Sequence, residues 1–233
     1  MSASHPRAHD LRRGDSLLSA RAKELGRALL APVVRLALRA GLTANGVTVL
    51  GFLIVAVAAG LVASGNLVVG AAVLTVGSLL DAIDGALARA TGGVSAFGSF
   101  LDSTLDRAAE AILYVGVVAY YLGTSAEPTV PVVLALLALI GSFMVSYTRA
   151  RAEGLGLNAE VGLAPRTERL VLVVAGIALT GLGVAIGLIG ALAIIATLAV
   201  ATTIQRIWHV RRTAPEGPRT SGTDTEQENQ ERG

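Results

Sequence analysis

Four aspartates within one stretch, Asp81, Asp84, Asp102 and Asp106, are the residues best placed to do chemistry in this chain. They lie in DAIDGALARATGGVSAFGSFLDSTLD, beside or inside segments apolar enough to cross a membrane. An ionisable residue at membrane depth marks a functional site by default, because an unpaired charge in hydrocarbon costs several kcal/mol. Asp81 and Asp84 are three residues apart, and Asp102 and Asp106 four apart, so each pair shares one helical face. Local cations are few: Arg89 and Arg107 stand against the four aspartates and Glu110. Carboxylates packed this densely disfavour one another's ionisation. A divalent cation is the natural compensation, and oxygen-only ligands suit Mg²⁺ or Mn²⁺ over Zn²⁺. With no cysteine in the chain, thiolate nucleophiles, disulfides and cysteine metal sites are excluded.

The neighbouring residues extend this chemistry toward a phosphoanhydride. Gly85 removes a side chain where a phosphate or base must approach the backbone, and Ala88 is small on the same face. Arg89 is placed to hold a pyrophosphate bidentately, and Gly98 opens access from the following segment. Carboxylates, bridging metal and an arginine together suit two-metal chemistry at phosphorus.

The elements that must position these groups are membrane helices. Of 233 residues, 53% are hydrophobic and 15% charged, far outside the range of a soluble domain. A crossing needs about 20 residues of helix. The apolar runs then divide into spans at 44–64, 67–91, 97–123 and 129–148, with two more between Leu170 and Gln205 separated near Gly181 to Gly183. Of the 19 Lys and Arg, all but Arg89 and Arg107 fall in the N-terminal segment, the fourth-to-fifth connection or the C-terminal end. Those two lie in the halves of the second and third spans that adjoin the second-to-third connection. Six spans with both termini cytoplasmic satisfy every one of these charges. The expected architecture is thus an all-α integral membrane protein of six transmembrane helices at 41–210. Ahead of it come a disordered tail at 1–15 and an amphipathic interfacial helix at 16–40; a disordered tail follows at 211–233. No nucleic-acid partner is expected.

Asp81-x-x-Asp84-Gly85-x-x-Ala88-Arg89, then Gly98, Asp102 and Asp106 at their spacings, resembles the signature of the CDP-alcohol phosphotransferases at every fixed position. The resemblance implies that Asp81, Asp84 and Asp102 bind a pair of divalent cations. It implies that Asp106 deprotonates the acceptor hydroxyl and also touches one metal. Gly85, Ala88 and Arg89 would bind the CDP moiety, with Ser95 near it. GLTANGVT resembles the family's GLTPNxVT entry to the first span, so Ala44, Asn45, Gly46 and Val47 would contact the nucleotide, with Ala44 replacing the proline. The implied reaction is attack of an alcohol on the β-phosphorus of CDP-diacylglycerol, with CMP leaving. A homodimer, multi-pass in the plasma membrane with its active site facing the cytoplasm, is implied with it.

SYTRARAEGLG, Arg166 to Arg169 and Ile204 to Arg206 resemble the basic patches of phosphatidylinositol-phosphate synthases and their archaeal relatives. Arg149 stands where a lysine is common and Thr167 where a proline is common. The implied acceptor is inositol phosphate, its phosphate held by Arg149, Arg166, Arg169 and Arg206. Glycerol 3-phosphate is an anionic acceptor too, so a phosphatidylglycerophosphate synthase stays open. A cation transporter using the intramembrane aspartates is the alternative of a different class.

Overall fold

Thr43 opens the first membrane helix of the computed structural model. Its Oγ1 accepts the Gly46 N–H at 3.1 Å, and the uncharged run behind it forms α1, Ala44–Ala63. A tight turn at Ser64 to Asn66 leads to α2, Leu67–Ala90. Ser95 repeats the capping device, its Oγ accepting the Gly98 N–H at 2.9 Å, and starts α3, Ala96–Thr124. The remaining helices are α4, Thr129–Glu153; α5, Arg166–Gly181; and α6, Ile186–Thr213.

The structure describes residues 41–90, 95–163 and 165–214, with Pro32, Arg35, Leu38 and Arg39 ahead of them. The tail expected at 1–15, nearly all of the interfacial helix expected at 16–40, the Gly92-Gly93 loop and the C-terminal tail beyond Ala214 lie outside the described residues. Among the described residues every regular element is helical.

Among the described residues four helices, α1, α2, α4 and α6, are long and apolar enough to cross a membrane. The other two expected spans exist as helices but differ in character. α3 carries Asp102, Asp106, Arg107 and Glu110 in its first half. α5 has 16 residues, about 24 Å at 1.5 Å per residue, against a hydrocarbon core of about 30 Å. The helices also reach past the apolar runs: α4 continues to Glu153 and α5 begins at Arg166, so the two ends of the basic segment expected to link them are helical. Arg149, Arg166 and Arg169 therefore sit on helix ends rather than in a loop.

The chain divides into two compact units, residues 1–126 with 180–184, and residues 127–179 with 185–233. In the first, α1 packs against α2 and α3 around Ala58, Val62, Leu74, Leu87 and Val117. In the second, α4 packs against α6 around Ala135, Ala138, Leu192, Ile195 and Ala199. Outward faces are apolar too: Val57, Val69, Val115, Val130, Ile140 and Val171 are all exposed, as lipid-facing residues are. Hydrophobic burial from water gives no drive between helices in lipid, so close approach through small residues holds them together. At Gly116 of α3 a Cβ would stand 2.5 Å from the Ala59 carbonyl oxygen of α1.

Gly116→Val should therefore lower the unfolding free energy of the detergent-solubilised protein by about 1–3 kcal/mol, through overpacking against a backbone that cannot yield. Gly123→Ala, where nothing lies within 4 Å, is the matched control and should leave the midpoint unchanged or slightly raised. Equal midpoints for the two variants would show that this contact does not hold α1 to α3.

Candidate functional site

Three helix ends meet at a cavity of about 160 Å³ in the first unit. The first turns of α1 contribute Ala44, Asn45 and Thr48; the last turns of α2 contribute Asp84, Gly85, Ala88 and Arg89; the start of α3 contributes Ser95, Gly98, Ser99 and Asp102. Each set follows helical spacing, which is why three short stretches distant in sequence present one lining.

Asp84 is the most deeply placed carboxylate, 6% exposed. The Thr48 hydroxyl lies 2.7 Å from Asp84 Oδ2 and 3.1 Å from the Ala44 carbonyl oxygen. Its single proton goes to the nearer, charged acceptor, giving a short charge-assisted bond between α1 and α2. Asp102 and Asp81 lie close enough for their charges to act on Asp84. Asp81 reaches toward α1 one turn deeper, where a Cβ on Gly51 would lie 3.7 Å from its Oδ1. Asp106 sits one turn beyond Asp102 along α3, its Oδ2 3.7 Å from Arg107 Nη2.

The site has a second, opposite polarity. α1 and α3 both direct their N-termini into the cavity, and a helix N-terminus favours anions through its free N–H groups and its dipole. Arg89 adds a full positive charge. Its Nη1 would lie 3.4 Å from a Cβ on Gly85, so the glycine makes room for the guanidinium to fold back along α2. Gly98 does the same for Asn45, whose Oδ1 would lie 3.1 Å from a Cβ there.

Seven of the nine residues expected to contact the CDP-lipid line this cavity: Ala44, Asn45, Gly85, Ala88, Arg89, Ser95 and Gly98. Gly46 and Val47 do not. The Gly46 N–H is taken by the Thr43 cap, and Val47 is buried against Ile83 and Leu87. Of the four aspartates expected at the metal, Asp84 and Asp102 line the cavity, while Asp81 and Asp106 are not in its lining. Thr48 and Ser99 were missed. Thr48 was findable: it is a polar residue one turn after Ala44 in an otherwise uncharged run, on the face that carries Asn45.

The expected acceptor arginines all fall in the second unit. Arg206 is buried, with its Nε donating to the Val161 carbonyl at 2.8 Å and its Nη1 donating to the Val145 carbonyl. Arg149 pairs with Glu153 at 2.8 Å and Glu160 at 3.1 Å. Arg169 is buried in the first turns of α5, and Arg166 is partly exposed one turn earlier. Arg149 and Arg169 lie close enough for their charges to act on Arg206.

Comparison with known proteins agrees with this polarity. The family model of CDP-alcohol phosphatidyltransferases matches residues 41–208. This chain belongs to that family. The archaetidylinositol phosphate synthase of Pyrococcus horikoshii is 38% identical over 173 residues, 74% of this chain and 85% of the relative. The phosphatidylinositol phosphate synthase of Streptomyces avermitilis is 34% identical over 92% of this chain and 91% of its own length. The crystal structure of the Mycobacterium tuberculosis phosphatidylinositol phosphate synthase with CDP-DAG bound superposes with a TM-score of 0.74 at 33% identity, covering 81% of this chain and 96% of that one. The same enzyme in complex with manganese and citrate gives a TM-score of 0.74 at 32% identity. Membership of this family makes the chain a phosphatidyltransferase and sets the transport alternative aside.

The donor set fits a hard divalent cation: Asp84 and Asp102 face one cavity, Asp81 is within electrostatic reach, and all the ligand atoms are oxygen. Among the described residues no three such groups stand close enough, as placed, to cage one ion. The like-charge repulsion on Asp84 is what a cation would relieve. Asp84→Asn should accordingly melt no lower than the parent in chelator, while losing the stabilisation that Mn²⁺ gives the parent. A variant that Mn²⁺ still stabilises fully would remove Asp84 from the metal site.

Proposed function

We propose that this chain transfers the phosphatidyl group of CDP-diacylglycerol to a hydroxyl of inositol phosphate, giving phosphatidylinositol phosphate and CMP. The observation that carries the reading is the split polarity of the first unit's cavity. Asp84 and Asp102 offer oxygen ligands on one side, and Arg89 with the N-termini of α1 and α3 offers anion binding on the other. A metal–pyrophosphate substrate needs both. The relatives named for inositol phosphate acceptors supply the choice of alcohol.

In this reading Asp81, Asp84, Asp102 and Asp106 hold a pair of Mg²⁺ or Mn²⁺ ions, which when bound neutralise the pyrophosphate and the departing CMP. Ala44, Asn45, Gly85, Ala88, Arg89, Ser95 and Gly98 orient the cytidine diphosphate. Gly46 and Val47 serve it indirectly, by capping α1 and seating it on α2. Asp106 takes the proton of the attacking hydroxyl; the new O–P bond forms at the β-phosphorus as the bond to CMP breaks. Arg149, Arg166, Arg169 and Arg206 of the second unit bind the acceptor's phosphate. Arg206 keeps three of its five N–H donors beyond the two given to Val145 and Val161.

Supporting the wider assembly, α3 and α5 join the four apolar helices as a fifth and sixth crossing. The distribution of Lys and Arg supports both termini and the site on the cytoplasmic side, and the membrane in this reading is the plasma membrane. The protein works as a homodimer, as the family resemblance implies.

Purified protein supplied with CDP-diacylglycerol and Mn²⁺ should release CMP with inositol phosphate and little with free inositol, glycerol 3-phosphate or serine. Productive use of glycerol 3-phosphate alone would replace this reading with phosphatidylglycerophosphate synthesis. Arg166→Ala should raise the acceptor KM about tenfold or more and leave the CDP-lipid KM within about twofold, as expected for one lost charge-assisted contact. A rise in the CDP-lipid KM instead would place Arg166 at the donor.

A further inference from the structure

A second cavity, about 370 Å³, opens in the second unit between the end of α6 and the segment that links α4 to α5. Its walls are Gln205, Trp208, His209 and Arg212 from α6, and Val161, Gly162 and Leu163 from the linking segment. The four α6 residues recur at i, i+3, i+4 and i+7 and form one stripe, off the Thr202 and Arg206 positions that are buried.

The opposite wall is fixed from below. Leu163 N–H donates to Thr202 Oγ1 at 3.2 Å, and Arg206 Nε holds the Val161 carbonyl at 2.8 Å. Gly162, at φ +148, lies where a Cβ would strike Thr202 Cγ2. The glycine is thus required both by its backbone angle and by its contact with α6. The cavity is held open by tied backbone on one side and a continuous helix on the other.

Its chemistry is cationic and amphipathic. The Arg212 guanidinium stacks over the Trp208 ring at 4.6 Å, which orients its edge N–H groups while leaving them available to an acceptor. His209 and Gln205 add donors beside it. α6 contains no acidic residue, so nothing on this helix neutralises Arg211 and Arg212. Leu163 and Trp208 are more than half exposed at the rim, and Ile204 and Ile207 extend the apolar surface along the same end of the helix. A tryptophan with a polar helix end beyond it is the arrangement of a membrane–water boundary. The volume is that of a small-molecule site.

We propose that this cavity binds the phosphate headgroup of an anionic phospholipid, with Arg212 and His209 on the phosphate and Leu163 and Trp208 against the upper acyl region. This site is separate in its residues from those assigned to the donor and the acceptor. Free phosphate shares the chemistry but has no use for the apolar rim, which favours the lipid.

Trp208 is the only tryptophan in the chain, so its fluorescence reads this cavity directly. The full-length protein in nanodiscs of zwitterionic lipid should show a saturable change in Trp208 emission as anionic phospholipid is added in increasing proportion. Arg212→Gln should weaken that response about tenfold, as the loss of one charge-assisted contact does, while Arg211→Gln, outside the cavity, should not. CMP release by Arg212→Gln shows that the variant is folded. Inorganic phosphate in zwitterionic nanodiscs is the second arm. An equal response to it would overturn the lipid as the source of the phosphate. No saturable response, or equal weakening in the two arginine variants, would overturn the site itself.

Discussion

A carboxylate almost fully removed from solvent between two apolar helices is tolerable only where its lone pairs and its charge are both answered. Asp84 sets that constraint for the first unit. The Thr48 hydroxyl answers one lone pair, and in doing so ties α1 to α2 at the level of the cavity. The charge is not answered in this way, because Asp102 and Asp81 add their own to it. A divalent cation between the carboxylates would relieve that repulsion. The site thus resembles other strained functional centres, where stability is given up for a group that must stay ready to bind.

Everything else in the first unit follows from having to keep these carboxylates together without letting the helices part. Helices cannot be drawn together in lipid by the exclusion of water, so α1 and α3 approach through Gly116 and the Ala59 backbone. The hydroxyl caps at Thr43 and Ser95 then end the two helices at the cavity edge, with their N-termini turned inward. One set of contacts therefore places negative side chains and positive helix ends within one small volume. A pyrophosphate bound through a divalent ion presents the complementary pattern.

The sequence made the six helices of the described residues and their turns legible, because apolar runs interrupted by Ser64 to Asn66, Glu127 and Pro128, or Gly181 to Gly183 leave few alternatives. Fixed spacing also made most of the cavity lining legible. What it obscured were roles decided by a second helix. Val47 sits in the motif two residues after Asn45, yet its side chain points about 160° away around the helix and joins Ile83 and Leu87 in the core. Gly85 reads as open space on the cavity face, and the structure adds that the Arg89 guanidinium lies against it. Thr48 gains its meaning only from Asp84, 36 residues later. Helix ends were likewise misjudged by following hydropathy alone. The helical hydrogen-bond pattern continues through Arg149 to Glu153 after the apolar run has ended, because Arg and Glu are good helix formers.

The second unit applies the reverse electrostatic logic. Ordinary flanking arginines would spread out and face water, where each is fully solvated. Here Arg206 and Arg169 are buried, and the charges of Arg149 and Arg169 both act on Arg206. Two backbone carbonyls hold Arg206 in position, so its burial is built into the fold rather than incidental. Glu153 and Glu160 neutralise Arg149 from its exposed side, but surface pairs of this kind are worth no more than about 1 kcal/mol each and yield readily to a better anion. A cluster of like charges kept in place against repulsion is costly to the folded chain alone. It becomes favourable once a multiply charged phosphate lies against it, just as the aspartates of the first unit do once a cation lies between them. In the proposed reading the two units thus present opposite excess charge, carboxylates for the metal in the first and guanidinium groups for the acceptor's phosphate in the second.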